Sequence, residues 1–306
     1  MKPSSILGCI PPLGAAAAQL QMLRYGNSSR QVVGVLDNER SQPWTDGQLW
    51  LVYIHGGAWR TAEQTGRDFE PAIDRMLQSP GALPGAVRGF ASIDYRLSPC
   101  AEGQASCPPG RRVRHPDHIR DVRSALRLLA ERRGLHGGNY VLIGHSAGAT
   151  LAFQLLMGAA ALEGQPDADV PLPRALIGIA GIYDLNGLND RYADAYADFM
   201  TAAFGRDRRA WDRASPARFA GSYRRAWPGA GHGALLAHSA GDSLVDAPEH
   251  KAMAARLAKD GVAVSVVDDL EGEHDFVWED GRQIVRLVAQ LLGHRRALPG
   301  TSSQES

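Results

Sequence analysis

Apolar residues in this chain form short solid runs, separated by longer stretches in which they recur at helical spacing. The runs at 49–54, 90–95, 140–143, 176–180, 234–238 and 262–267 have strand length and carry almost no charge, as strands covered on both faces do. A further strand is expected at 31–36, joined to 49–54 through a polar turn at Asp46-Gly47. Between the runs, Ile119, Val122, Leu126 and Leu129 fall on one helical face that ends at Gly134, which places Asp117 and Asp121 on its solvated or capping side. Helices are also expected at 147–156, 248–259 and 281–292, and a short one at 15–24 ended by Gly26-Asn27. Alternating strands and helices predict an α/β fold with a mostly parallel central sheet flanked by helices. Residues 184–228 turn charged, aromatic and helix-forming, and read as a helical lid insertion over the sheet's end. Within it Tyr192, Tyr196, Phe199, Phe204 and Trp211 pack the insertion on the body, one or two of them facing a pocket. The expected organisation is an N-terminal extension at 1–30, one domain at 31–296 carrying that insertion, and a disordered tail at 297–306.

Composition narrows the classes of function. The 306 residues are 44% hydrophobic, enough for one large buried core. Lys plus Arg and Asp plus Glu balance at 33 each, so no net field draws the chain to nucleic acid or an acidic membrane, and a small-molecule substrate is the default partner. Three cysteines make neither a disulfide framework nor a zinc pattern, and no other cluster has metal-ligand spacing. Cys100 and Cys107 share a Pro/Gly-rich loop and are read as free thiols, which suits a reducing, cytoplasmic setting. Residues 140–162 lack Asp, Glu, Lys and Arg, but a strand, a glycine turn and a buried helix explain them better than a membrane span. The N-terminal residues resemble a signal peptide only until Pro11-Pro12 interrupts the apolar stretch. Monomer and homodimer are both open.

The candidate chemistry begins where the 140–143 run breaks into Gly144-His145-Ser146-Ala147-Gly148. A strand, a Gly-X-Ser-X-Gly turn and a helix together hold a serine hydroxyl exposed on a sharp bend, with the helix N-terminus aimed at it. The alternative is a tight turn with an incidental serine. The 49–54 strand runs into His55-Gly56-Gly57-Ala58-Trp59, where unshielded backbone N–H groups of Gly57 and Ala58 can join that of Ala147 as an oxyanion hole. A serine hydroxyl needs an imidazole to take its proton and a carboxylate to orient that imidazole. His274 follows the last strand, whereas His238 lies in a strand and His250 in a helix. Asp242 follows its own strand and gives the chain order Ser146, Asp242, His274, with Asp246 as the alternative acid. His145 and His55 are assigned structural roles only. Trp59 would crowd the acyl side, and Tyr183, Phe276 and Trp278 lie on loops converging on the same point, where substrate stacking competes with plain packing.

From Gln31 to Leu292 these motifs resemble the α/β-hydrolase superfamily and, more narrowly, fungal-type kynurenine formamidases. Where related esterases and lipases carry a third glycine, this chain has Ala58. The resemblance implies a serine hydrolase that converts N-formylkynurenine to kynurenine and formate in tryptophan catabolism, without metal or organic cofactor. The same motifs serve esters and amides, so a small-molecule carboxylesterase and a non-catalytic ligand-binding module are the competing expectations.

Overall fold

Period-two alternation along the strands divides the interior into two cores. In the strand Leu49–Ile54, Trp50, Val52 and Ile54 face one apolar cluster, while Leu49, Leu51 and Tyr53 face the other. Every residue of that strand is buried, which is why it reads as a continuous apolar run instead of an alternating one.

The computed structural model describes residues 19–79, 82–100, 111–229 and 231–296. Its strands are β1 (Gln21–Arg24), β2 (Val32–Asp37), β3 (Leu49–Ile54), β4 (Val87–Ile93), β5 (Tyr140–His145), β6 (Ala175–Ile179), β7 (Gly233–Ser239) and β8 (Ala263–Leu270). They form one sheet in the order β1-β2-β4-β3-β5-β6-β7-β8. The pairs β1/β2 and β2/β4 are antiparallel and all others parallel. The helices are α1 (Glu70–Gln78), α2 (Ala82–Ala86), α3 (Asp117–Arg133), α4 (Ala147–Met157), α5 (Leu185–Arg191), α6 (Ala197–Phe204), α7 (Arg208–Ala214), α8 (Tyr223–Ala226), α9 (Ala247–Lys259), α10 (Phe276–Asp280) and α11 (Arg282–Arg296). One core takes its helical side from α3, α4 and α9, through residues such as Ile119, Leu126, Phe153 and Met253. The other is closed by Ile73 and Met76 of α1 and Ile284, Leu287 and Val288 of α11. The helices thus cover both sheet faces, and the parallel strands deliver the loops after β3, β5, β6, β7 and β8 to one edge. Helices α5 to α8 lie between β6 and β7, in the span expected to be an insertion. Among the described residues, no helix is long and apolar enough to cross a membrane.

Three expectations and one omission need correction. The helix expected at 15–24 is, in its described part, the edge strand β1, whose pairing with β2 outweighs local helix propensity. Helix α1 was not foreseen, although the capping box of Thr65 and Asp68 and the Pro at its start are helix-entry signals. Cys100 is disulfide-bonded, with its partner outside the described residues, so free thiols no longer argue for a reducing compartment. The expected tail at 297–306 also lies outside the described residues.

The fourth concerns Asp121, which is 1% exposed instead of solvated. Its carboxylate accepts Arg96 Nε at 2.8 Å, Arg96 Nη2 at 2.7 Å, the Arg96 backbone N–H at 3.0 Å and Gln31 Nε2 at 2.9 Å. A helix face that looked polar by spacing is covered by the chain leaving β4 and the chain entering β2. Breaking such a pair takes the acceptor from a partly exposed guanidinium and from two further donors. Asp121→Ala is therefore expected to lower unfolding free energy by about 2–4 kcal/mol, measured by urea denaturation; a loss within 0.5 kcal/mol, as at about the surface-substitution norm, would show that the pair is incidental.

Candidate active site

Strand β5 ends at His145, and Ser146 follows with φ 52° and ψ −121°, in the left-handed region that side chains avoid. Its N–H donates to the Ile179 carbonyl of β6 at 2.9 Å, and its own carbonyl accepts the N–H groups of Ala149 and Thr150 at the start of α4. The flanking glycines explain the motif. A Cβ on Gly148 would lie 2.1 Å from the Ile54 carbonyl oxygen, and one on Gly144 would lie 2.5 Å from the Gly148 carbonyl oxygen. Backbone meets backbone at both places, so neither can yield.

After β3 the chain passes through Gly57 at φ 89°, Ala58 at φ 48° and Trp59 at φ 59°. Non-glycine residues in this region cost on the order of 1–3 kcal/mol each, and with Ser146 they gather in one place. Neighbouring contacts hold the loop there. The Gly57 carbonyl accepts Arg60 N–H and Thr61 N–H, each at 2.8 Å, and Ser98 N–H donates to the Trp59 carbonyl at 2.8 Å. From beneath, the Tyr95 hydroxyl donates to the Gly56 carbonyl at 2.9 Å, and its ring stacks on His55 at 4.3 Å. His55 Nδ1 lies 2.9 Å from the Gly56 carbonyl oxygen, and its Nε2 lies 3.4 Å from Asp94 Oδ1.

Beyond β8, His274 Nδ1–H donates to Asp242 Oδ2 at 2.8 Å. Asp242 Oδ1 accepts the N–H groups of Leu244 and Val245, each at 2.9 Å. Burial pushes the Asp242 carboxyl up, but the His274 hydrogen bond and charge, with those two amides, outweigh it and hold the group below the usual carboxylate range. With Nδ1 engaged as a donor, Nε2 of His274 is left as the proton acceptor. Asp246, the alternative acid, pairs instead with Arg191 at 2.6 and 2.8 Å at the start of α9. Ser146 and His274 line a single cavity of about 220 Å³.

Gly57 and Ala58 are on the cavity wall, while Ala147 is the first residue of α4, where backbone N–H groups have no partner within the helix. The three residues expected to touch substrate are placed otherwise. Trp59 is fully buried, edge-on to Phe204 at 4.9 Å, because the left-handed turn drives its ring into the core. Tyr183 is fully buried against Phe153 at 5.4 Å, beneath the glycines at 178 and 181. Phe276 is half-buried beside Gly272 and, like the other two, is not on the cavity wall. The apolar wall comes from Ile182, Leu188, Tyr196, Phe199, Leu244 and Val245. Of the five aromatic residues named in the insertion, Tyr196 and Phe199 are the two on this wall.

Two second-layer contacts were not legible from spacing. His145 donates from Nε2 to the His274 carbonyl at 3.0 Å, and burial, aided by the nearby His274, holds its imidazole neutral. Gln64 Nε2 reaches both oxygens of Asp275, at 3.1 and 3.2 Å. For a metal, the one grouping among the described residues is His145, His274 and Asp275, with ligand atoms within 4.8 Å of one another. Each imidazole there already commits one nitrogen to the contacts above.

A family model described as an alpha/beta hydrolase fold matches residues 51–278. A kynurenine formamidase-like hydrolase of Fusarium equiseti is 35% identical over 81% of this chain and 84% of its own. A kynurenine formamidase of Aspergillus versicolor is 36% identical over 76% and 84%. Among solved structures, esterase B from Lactobacillus rhamnosis superposes with a TM-score of 0.65 at 15% identity, covering 92% of this chain and 88% of that one. A thermophilic esterase from Thermogutta terrifontis gives 0.63 at 17%, covering 94% and 96%.

Because Asp242 is more acidic folded than unfolded, its contribution to stability is complete above the ordinary carboxyl range and disappears as pH falls through its folded value. Asp242→Asn lacks that contribution. The stability gap between wild type and Asp242→Asn should be widest near neutral pH and close in acid, as followed by thermal unfolding across pH. A gap that widens in acid would contradict the contacts assigned to Asp242.

Proposed function

We propose, because this chain belongs to the α/β-hydrolase family, that it hydrolyses N-formylkynurenine to kynurenine and formate through Ser146. The observation that carries the proposal is the left-handed Ser146 on the wall of the same cavity as His274, itself held by Asp242. The substrate follows from the relatives of Fusarium equiseti and Aspergillus versicolor, whose names state that activity or a likeness to it. At about 220 Å³ the cavity lies below the range of about 300–1,000 Å³ common for drug-sized ligands, which favours a compact substrate.

In this reaction Ser146 Oγ attacks the formyl carbon while His274 Nε2 takes its proton. The oxyanion is met by the N–H groups of Ala147, Gly57 and Ala58. His274 then protonates the departing aryl amine, leaving a formyl ester on Ser146, and a water activated by the same imidazole releases formate. Asp242 keeps the Nδ1–H tautomer throughout. Tyr196 and Phe199 supply the aromatic wall for the anilide ring, in place of Trp59, Tyr183 and Phe276. Residues 184–228 serve as the lid that brings this wall over the sheet.

Two measurements test the reaction. Formyl is the smallest acyl group, and Gly57 and Ala58 stand at the wall near Ser146, so kcat/KM should favour N-formylkynurenine over its N-acetyl analogue by about tenfold or more. Equal or better use of the acetyl compound would point to a general esterase. In the same assay Ser146→Ala should lower kcat by about 10³-fold or more, with the fold retained. Separately, EDTA should leave the rate unchanged, since the proposed nucleophile is a serine activated by an imidazole. Loss of activity in EDTA, restored by a divalent ion, would make the grouping of His145, His274 and Asp275 a metal centre instead.

A further inference from the structure

We infer that Asp275 sets specificity for the leaving amine by receiving a cationic ammonium group, an inference that rests on the hydrolytic reading above. The polar side chains on the cavity wall are those of Thr61, Gln64, Ser146, Tyr196, His274 and Asp275. Asp275 is the one carboxylate among them, and no Lys or Arg lines the cavity among the described residues. Its existing partners are neutral donors. Oδ1 accepts Gln64 Nε2 at 3.1 Å and Trp278 Nε1 at 3.0 Å, and Oδ2 accepts Gln64 Nε2 at 3.2 Å. A carboxylate offers about four lone-pair sites, so Oδ2 retains capacity for another donor. None of the ion pairs among the described residues includes Asp275, so its charge lies on the cavity wall without a counter-charge.

Position decides which end of a substrate meets that charge. A ring nitrogen of His274 and a carboxylate oxygen of Asp275 lie within 4.8 Å. The amine leaves on the side of His274, which must protonate it, and Asp275, the next residue along the chain, puts the carboxylate of the same cavity wall beside that histidine. A cation there gains an ionic hydrogen bond in surroundings poorer in water than bulk, and an anion is repelled. N-formylkynurenine carries an ammonium on the side chain ortho to its formamide. The α-carboxylate on the same carbon points away from Asp275, so the wall selects amines that present a positive group near the ring over those that present only an anionic one.

The test compares kcat/KM for N-formylkynurenine with that for its analogue lacking the α-amino group, in wild type, Asp275→Asn and Asp275→Glu. Wild type should prefer the ammonium-bearing substrate by at least about tenfold, with the difference chiefly in KM. Asp275→Asn keeps a hydrogen-bonding oxygen but removes the charge, and should cut that preference about tenfold. Asp275→Glu should recover most of it. A preference unchanged in Asp275→Asn, or both substrates losing rate to the same extent, overturns the inference and leaves Asp275 as a support for Gln64 and the His274 loop. Turnover of both compounds by wild type without preference also defeats it, while leaving the hydrolytic reading intact. If wild type hydrolyses neither compound, the formamidase reading fails first.

Discussion

The structure depends on a close approach of backbone to backbone where α4 is pressed against the ends of β3 and β5. Only the absence of side-chain carbon at Gly148 lets the helix start within contact of the Ile54 and His55 carbonyls. Only its absence at Gly144 lets the strand turn so tightly into that helix. The turn places Ser146 at positive φ, a cost of about 1–3 kcal/mol. The offset comes from α4, whose residues Ala147–Met157 are all buried and carry no charged side chain. A helix with no charged face, whose two polar side chains, Thr150 and Gln154, donate to backbone carbonyls, packs between the sheet and its neighbours.

Around that fixed point, short side-chain bonds join loops that are far apart in sequence. His145, next to the serine, holds the carbonyl of His274. Ser239 Oγ donates to the Gly272 carbonyl at 2.6 Å, and Ser243 N–H donates to Glu273 Oε2 at 3.2 Å, tying the loop after β7 to the loop after β8. Gln64 bridges from the glycine loop after β3 to Asp275. The segment between β6 and β7 is attached at both sides of the cavity, through Arg60 with Asp198 and through the Tyr196 hydroxyl with the Leu244 carbonyl at 2.7 Å. An imidazole can shuttle a proton only if its distances hold to a fraction of an ångström, and these cross-links supply that constraint from neighbouring loops.

The electrostatics of the site are divided between its two ends. Asp242 is committed to His274 and two amides, which keeps it charged and fixes a tautomer. Asp275 lies on the cavity wall with neutral partners only, so two carboxylates that look alike in composition sit in different surroundings. Asp246, four residues beyond Asp242, is turned to Arg191 and α9.

Local chemistry was enough to determine much of this protein. Solid apolar runs gave the buried strands because a strand covered on both faces has no polar side, and β3 spans the same residues in sequence and structure. The glycines at 144 and 148, the pair at 56 and 57, and the positions of Asp242 and His274 after their strands marked the loops that converge, since parallel strands must deliver their C-terminal ends to one edge. What a side chain touches was a different matter. Trp59 and Tyr183 sat on the right loops but turned inward, and Tyr196 and Phe199, spaced like packing residues, came to the cavity. Asp121 looked solvated until Arg96 and Gln31 were folded over it, and residues 21–24 took strand pairing over helix. Each of these outcomes is set by a partner distant in sequence, and no period or motif along the chain carries that information; only the tertiary structure decides it.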